Sequence, residues 1–193
     1  MLDVKVDLVL TDPPYGIDYD PARASSNGKW HKWHEDKVEG DSRPFEPAFL
    51  MQYRKLILWG ANAYSDKLPV NYGWLVWDKQ IPAGMLVSHC EMAWTNYLSR
   101  VFKFEHLWNG LCRDTEVGKH LHPTQKPVRL MEWCLSLAPD CQTVLDPFLG
   151  SGTTAVACKQ LGRKCIGVEI SEKYCEIAVK RLAQEVMSFP HSP

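Results

Sequence analysis

The chain has 193 residues, 45% of them apolar and 23% charged, which suits one globular domain of ordinary make-up. Its net charge of -1 excludes a global attraction to nucleic acid, so any DNA contact must come from local basic patches. Seven cysteines without a C-x-x-C pair argue against a disulfide framework or zinc site, and no apolar run suits a signal peptide or membrane span, so a reducing, cytoplasmic setting is expected.

Val4 to Leu10 is an apolar run that reads as a buried parallel strand, ending in Thr11-Asp12-Pro13-Pro14-Tyr15-Gly16. The carboxyl end of such a strand is where open α/β sheets bind ligands. Two prolines remove two donors and leave carbonyl oxygens free to accept; Asp12 adds a carboxylate and Tyr15 a flat ring. Together they suit an amino group carried on a heterocycle. The plain alternative is a proline-capped strand exit with an exposed acid. Ile17 to Asp41 reads as a long loop, and its Lys29-Trp30-His31-Lys32-Trp33-His34 run suits phosphate contact with base stacking. His31 and His34 lack a second ligand pair, so no metal is expected. Phe45, Phe49, Tyr53 and Leu56 have helical spacing, and Leu56 to Trp59 and Trp74 to Trp77 read as strands. Glu91 to Asn96 and Val101 to Trp108 read as a hairpin around Leu98-Ser99-Arg100, and Arg113 to His122 as a loop.

His122-Pro123-Thr124-Gln125-Lys126-Pro127 opens a helix whose apolar face is Val128, Met131, Cys134, Leu135 and Ala138. Lys126 opposes the dipole at that helix start, so a nearby carboxylate would account for it better than helix stability does. Val144 to Thr154 then reads as strand, glycine turn and helix start, with Asp146 at the strand end. Gly150 and Gly152 allow a tight turn and close approach to a ligand. Lys164 to Ile170 looks like a second strand, and Glu169 is placed to take both hydroxyls of a ribose. The G-x-G-x-x-G fingerprint and a G-K-[ST] ending are both absent, so a nucleoside-type cofactor is expected rather than a triphosphate. Ser171 caps a last helix that turns Tyr174, Ile177, Ala178 and Leu182 inward.

Four pieces in this order are specific: Asp12-Pro13-Pro14-Tyr15, His122 to Pro127, Asp146-Pro147-Phe148-Leu149-Gly150-Ser151-Gly152-Thr153, and Glu169. Together with Trp59-Gly60-Ala61-Asn62 and Trp74 to Lys79, they closely resemble the β-class DNA amino-methyltransferases, from about Val6 to Leu182. The resemblance implies an α/β fold: a Rossmann-like S-adenosylmethionine methyltransferase sheet in permuted motif order. It implies one methyltransferase domain over 1–193, with a catalytic half at 1–110 and a cofactor half at 111–193. Asp12, Pro13, Pro14 and Tyr15 would be the catalytic tetrapeptide, acting on a base flipped from double-stranded DNA. Asp12, Asp146, Phe148, Gly150, Ser151, Gly152, Thr153 and Glu169 would surround S-adenosylmethionine, with Thr124 and Lys126 near its methionine end. No Pro-Cys dipeptide occurs, so a cysteine nucleophile of the carbon-5 cytosine type has no candidate.

Adenine is the expected target, since Asp at the first motif position favours it in that family; cytosine-N4 methylation and a non-catalytic binding relative are the alternatives. Family members usually carry a further strand and acidic turn before the Asp12 strand, lining the cofactor's adenine. Only Met1 to Lys5 precede it here, so one leading strand is expected to be lacking. Asp41 lies on the wrong side of the motif to replace that turn. The sheet edge beside Val6 to Leu10 is then expected to be unpaired and to be covered by a homodimer.

Overall fold

The computed structural model describes residues 5–16, 18, 40–85, 87–109, 112–116 and 125–183. The expected loop run Lys29 to His34, and Thr124, lie outside the described residues. Nine strands are described: β1 (Leu8–Thr11), β2 (Leu56–Trp59), β3 (Trp74–Asp78), β4 (Cys90–Thr95), β5 (Val101–Glu105), β6 (Trp108–Asn109), β7 (Cys112–Arg113), β8 (Thr143–Asp146) and β9 (Lys164–Gly167). The helices are α1 (Val128–Ser136), α2 (Thr153–Gln160) and α3 (Glu172–Ala183). Seven strands form one sheet in the order β5-β3-β4-β2-β1-β8-β9, and β6 and β7 make a small antiparallel ribbon. Only β4 runs against the others in the large sheet.

The central strands are apolar throughout because both faces of the sheet are covered, and a pleated strand sends alternate side chains to opposite faces. Leu8, Leu10, Ile57 and Trp59 meet Leu130, Met131 and Cys134 of α1 and Ala157 and Cys158 of α2. Val9, Leu56 and Leu58 point the other way, into a second cluster with Phe45, Leu50 and Tyr64. Each such buried leucine or isoleucine contributes roughly 1.5–3 kcal/mol relative to exposure.

Three sequence expectations need correction. The helical spacing from Phe45 to Leu56 yields only a 3-10 turn at Pro47–Leu50, because Leu56 belongs to β2, where it is fully buried beside β1. Strand pairing in the core outweighs a local period. The expected hairpin does not form either: β3 lies between β4 and β5, antiparallel to one and parallel to the other. The connection from Thr95 to Val101 must therefore pass two strand spacings, roughly 10 Å. It crosses directly over Gly73, where a Cβ would stand 2.2 Å from the Leu98 carbonyl oxygen, so only glycine leaves it room.

The third correction concerns the sheet edge. β1 is not at an edge; it sits between β2 and β8, in register with both. The homodimer expected there has no unpaired β1 edge to cover. The outer strands are β5 and β9, and beyond β9 Val168 and Ile170 are 54% and 84% exposed. No helix among the described residues is long and apolar enough to cross a membrane.

Candidate active site

The parallel strands all deliver their carboxyl ends to one edge of the sheet, where β8 and β1 are neighbours. At that edge lies a cavity of about 430 Å³. Asp12, Pro13, Pro14 and Tyr15 line it together with Asp146, Phe148, Gly150, Ser151, Thr153 and Glu169, and so does Lys126. Of the site residues read from the sequence, Gly152 stands behind this wall, its Cα position packed against Ala178 of α3.

Asp12 is held from two directions. The Tyr15 hydroxyl donates to one oxygen at 2.5 Å, and the Lys126 ammonium sits 2.6 Å from the other. Burial pushes the Asp12 carboxyl upward, and Lys126 opposes that push. Burial and the Asp12 carboxylate keep Tyr15 a phenol, its pKa raised well above the usual value. The carboxylate that Lys126 requires at its helix start is thus Asp12, with Glu91 a second one at 3.0 Å. The Tyr15 ring lies over Gly60, which follows β2 at a φ of 68°; a Cβ there would stand 1.8 Å from the ring.

The glycine turn is fixed by side chains from distant parts of the chain. Glu169 accepts the Gly150 amide at 2.7 Å and the Ser171 amide at 2.8 Å. Arg181 of α3 donates to the Ser151 carbonyl at 2.9 Å and pairs with Glu116 at 3.0 Å. Glu116 in turn accepts the Val128 amide at the start of α1, at 2.9 Å. Asp146 accepts from the Thr11 hydroxyl at 2.6 Å across the β1–β8 junction, and from the Phe148 amide at 3.1 Å. Burial pushes Asp146 up to about 6, partly offset by these bonds.

Sequence reasoning missed Glu91, Lys79, Glu116, Arg181 and Thr11. Asp41, set aside as misplaced, also reaches the cavity and accepts the Gly16 amide at 2.7 Å. Among the described residues the lining carries four carboxylates, Asp12, Asp41, Asp146 and Glu169, against one ammonium, Lys126. Such a set suits a cationic guest with hydroxyls and repels a polyphosphate. Among the described residues no cluster of His, Cys, Asp and Glu could hold a metal ion.

The chain is 27% identical to the Type II methyltransferase M.HinfI of Haemophilus influenzae, over 93% of this chain and 63% of that protein. It thus spans less than two thirds of that relative's length. The M1.HpyAVI–SAM complex superposes with a TM-score of 0.55 at 22% identity, covering 94% of this chain and 91% of that one. The PvuII DNA methyltransferase, cytosine-N4-specific, superposes with a TM-score of 0.59 at 14% identity, covering 95% and 82%. At these identities the two structures establish the fold, a Rossmann-like sheet. The family profile described as DNA methylase matches residues 65–180, more than half of the sequence, and the chain belongs to that family of N6/N4 methyltransferases.

Proposed function

We propose that this chain is an S-adenosylmethionine-dependent DNA methyltransferase that modifies the exocyclic amino group of adenine in double-stranded DNA. One observation carries the reading: Asp12-Pro13-Pro14-Tyr15 and residues of the turn after Asp146, far apart in sequence, line one carboxylate-rich cavity. Bound there, S-adenosylmethionine would supply a methyl group on a positively charged sulfur. Asp146 is buried with no basic side chain bonded to it among the described residues, which suits a cation entering the cavity. Phe148, Gly150, Ser151 and Thr153 would shape the cofactor's side of the cavity, with Gly152 behind them letting the turn pack on Ala178. Glu169 keeps lone pairs beyond its two amide bonds and would use them on the ribose.

The target base would enter flipped from the duplex, since its amino group is otherwise inside the helix. Asp12 and the Pro13 carbonyl would accept its amino hydrogens, favouring lone-pair character on the nitrogen and aiming it at the methyl donor. Positioning of this kind supplies much of the rate. The Tyr15 hydroxyl now occupies one Asp12 oxygen, so stacking of its ring on the base would release that oxygen to the amino group. A cytoplasmic location is part of the same proposal, because cofactor and DNA meet there. The test is transfer of labelled methyl to mixed-sequence DNA, followed by nucleoside analysis. N6-methyladenine is expected; N4-methylcytosine would reassign the base, and an unlabelled product would overturn the reading.

A further inference from the structure

The reversed strand brings an additional acid to the cavity edge. Because β4 runs against its neighbours, its amino end lies where they have their carboxyl ends, and Glu91, opposite Trp77 of β3, stands there. Its carboxylate is 2.5 Å from the Lys79 ammonium and 3.0 Å from that of Lys126. Lys126, only 7% exposed, continues to Asp12 at 2.6 Å and to the Tyr15 hydroxyl at 3.1 Å. The result is one chain of contacts, Lys79–Glu91–Lys126–Asp12–Tyr15, with two cations balancing two anions.

Lys126 therefore stands between two carboxylates rather than serving Asp12 alone. An ammonium at this distance from a single part-buried carboxylate would draw strongly on it and weaken it as an acceptor for any other group. Glu91 draws the ammonium the other way, and Lys79, itself 5.4 Å over the Trp77 ring, keeps Glu91 ionised and in place. Burial alone would raise Glu91; the two lysines overcome it and hold the carboxyl down at about 2.

Building on the methyl-transfer reading above, we propose that Glu91 is a positioning residue: it anchors Lys126 and divides its charge, so that Asp12 remains a competent acceptor for the target amino group. Among the described residues, the other titratable groups bearing on Asp12 are Tyr15 on its own turn, Tyr64 beside β2 and Asp146 at the end of β8. Glu91 also bears on Asp12 directly, by like-charge repulsion, so its removal acts both across space and through Lys126, whereas Lys79 is paired with Glu91.

The test pairs two neutral substitutions with opposite consequences. Glu91→Gln removes the competing anion, so the Asp12 carboxyl titrates at lower pH. Lys79→Gln removes a cation and leaves Glu91 to Lys126, so Asp12 titrates at higher pH. Carbon-13 NMR of labelled aspartate reads both shifts in the protein without cofactor or DNA. In single-turnover methyl transfer, Glu91→Gln lowers the rate at least about tenfold and moves the acid limb of the pH profile downward, while cofactor affinity stays within about twofold. Circular dichroism identifies a variant that has lost its fold, and the other then carries the test. Asp12 midpoints that stay put, or move the same way in both variants, would overturn the division of charge. A Glu91→Gln rate equal to wild type would overturn its role in transfer. A wild-type chain that methylates no DNA would instead bring down the functional reading, whatever the NMR midpoints show, and the positioning role with it.

Discussion

Glu169 accepts the backbone amide of Gly150 at 2.7 Å, so the acid after β9 holds the glycine turn after β8. Its other oxygen takes the Ser171 amide, just before α3. One carboxylate thus fixes the turn and faces the cavity with its remaining lone pairs.

Glu169→Ala is expected to loosen the turn and remove the ribose contact together. The loss in S-adenosylmethionine affinity should be on the order of 1.5–3 kcal/mol, as for a hydrogen bond to a charged group. Glu169→Gln retains an acceptor oxygen and should lose less. Calorimetric titration of both variants checks the order, and equal affinity in all three proteins would leave Glu169 with a structural role alone.

Asp12→Ala should abolish methyl transfer and also cost stability. Lys126 would retain Glu91 but lose its shorter contact, at a cost of about 1–3 kcal/mol. Asp12→Asn keeps an acceptor oxygen and the volume, so it should be the more stable of the two while remaining strongly impaired. Thermal unfolding and labelled-methyl transfer are read side by side; near wild-type transfer in Asp12→Ala would place the chemistry elsewhere.

Gly60→Ala tests how Tyr15 is seated. The left-handed backbone at this position costs a residue with a Cβ about 1–2 kcal/mol, before any displacement of the ring. The ring cannot stay where it is, with a Cβ 1.8 Å away. Methyl transfer should fall by about tenfold or more while cofactor affinity changes little, since Gly60 is no part of the cavity wall near Phe148. Unchanged transfer would mean that the seat of Tyr15 does not matter to the reaction.

Asp146 gives a pH signature whose sign can be worked out. An ordinary Asp loses its proton near 3.8, whereas burial pushes this one up to about 6 in the folded chain. Between those values the folded state holds the proton and the unfolded state does not. The group's contribution to stability is therefore fully present below about pH 4 and falls away as pH rises to about 6, by on the order of 3 kcal/mol. A cation in the cavity favours the ionised form, so S-adenosylmethionine should bind more tightly as pH rises from about 5 to 7. Asp146→Asn should flatten that dependence. Calorimetry across the range decides it, and the same slope in both proteins would assign the titration to another group.

The tetrapeptide Asp12 to Tyr15, the glycine turn and Glu169 were all legible in the sequence. Each sits at the end of a short apolar run, and an apolar run ending in such residues reads as a buried strand delivering its ligands to the sheet edge. The same locality explains the failures. A helical period from Phe45 to Leu56 and a turn at Leu98-Ser99-Arg100 are sound local signals, yet they were overruled by β2 pairing with β1 and by β3 entering between β4 and β5.

By itself, then, the sequence determined which candidate residues stand at the strand ends, because motif spacing along a strand–turn–helix is set by backbone geometry within a dozen or so residues. Only the tertiary structure decided who holds them in place. Glu91 reaches Lys126 because β4 is reversed, Arg181 reaches Ser151 because α3 returns over the glycine turn, and β1 is paired on both sides because β8 docks beside it. These contacts join residues distant in sequence, and charge, burial and strand order settle them only when the whole sheet is assembled.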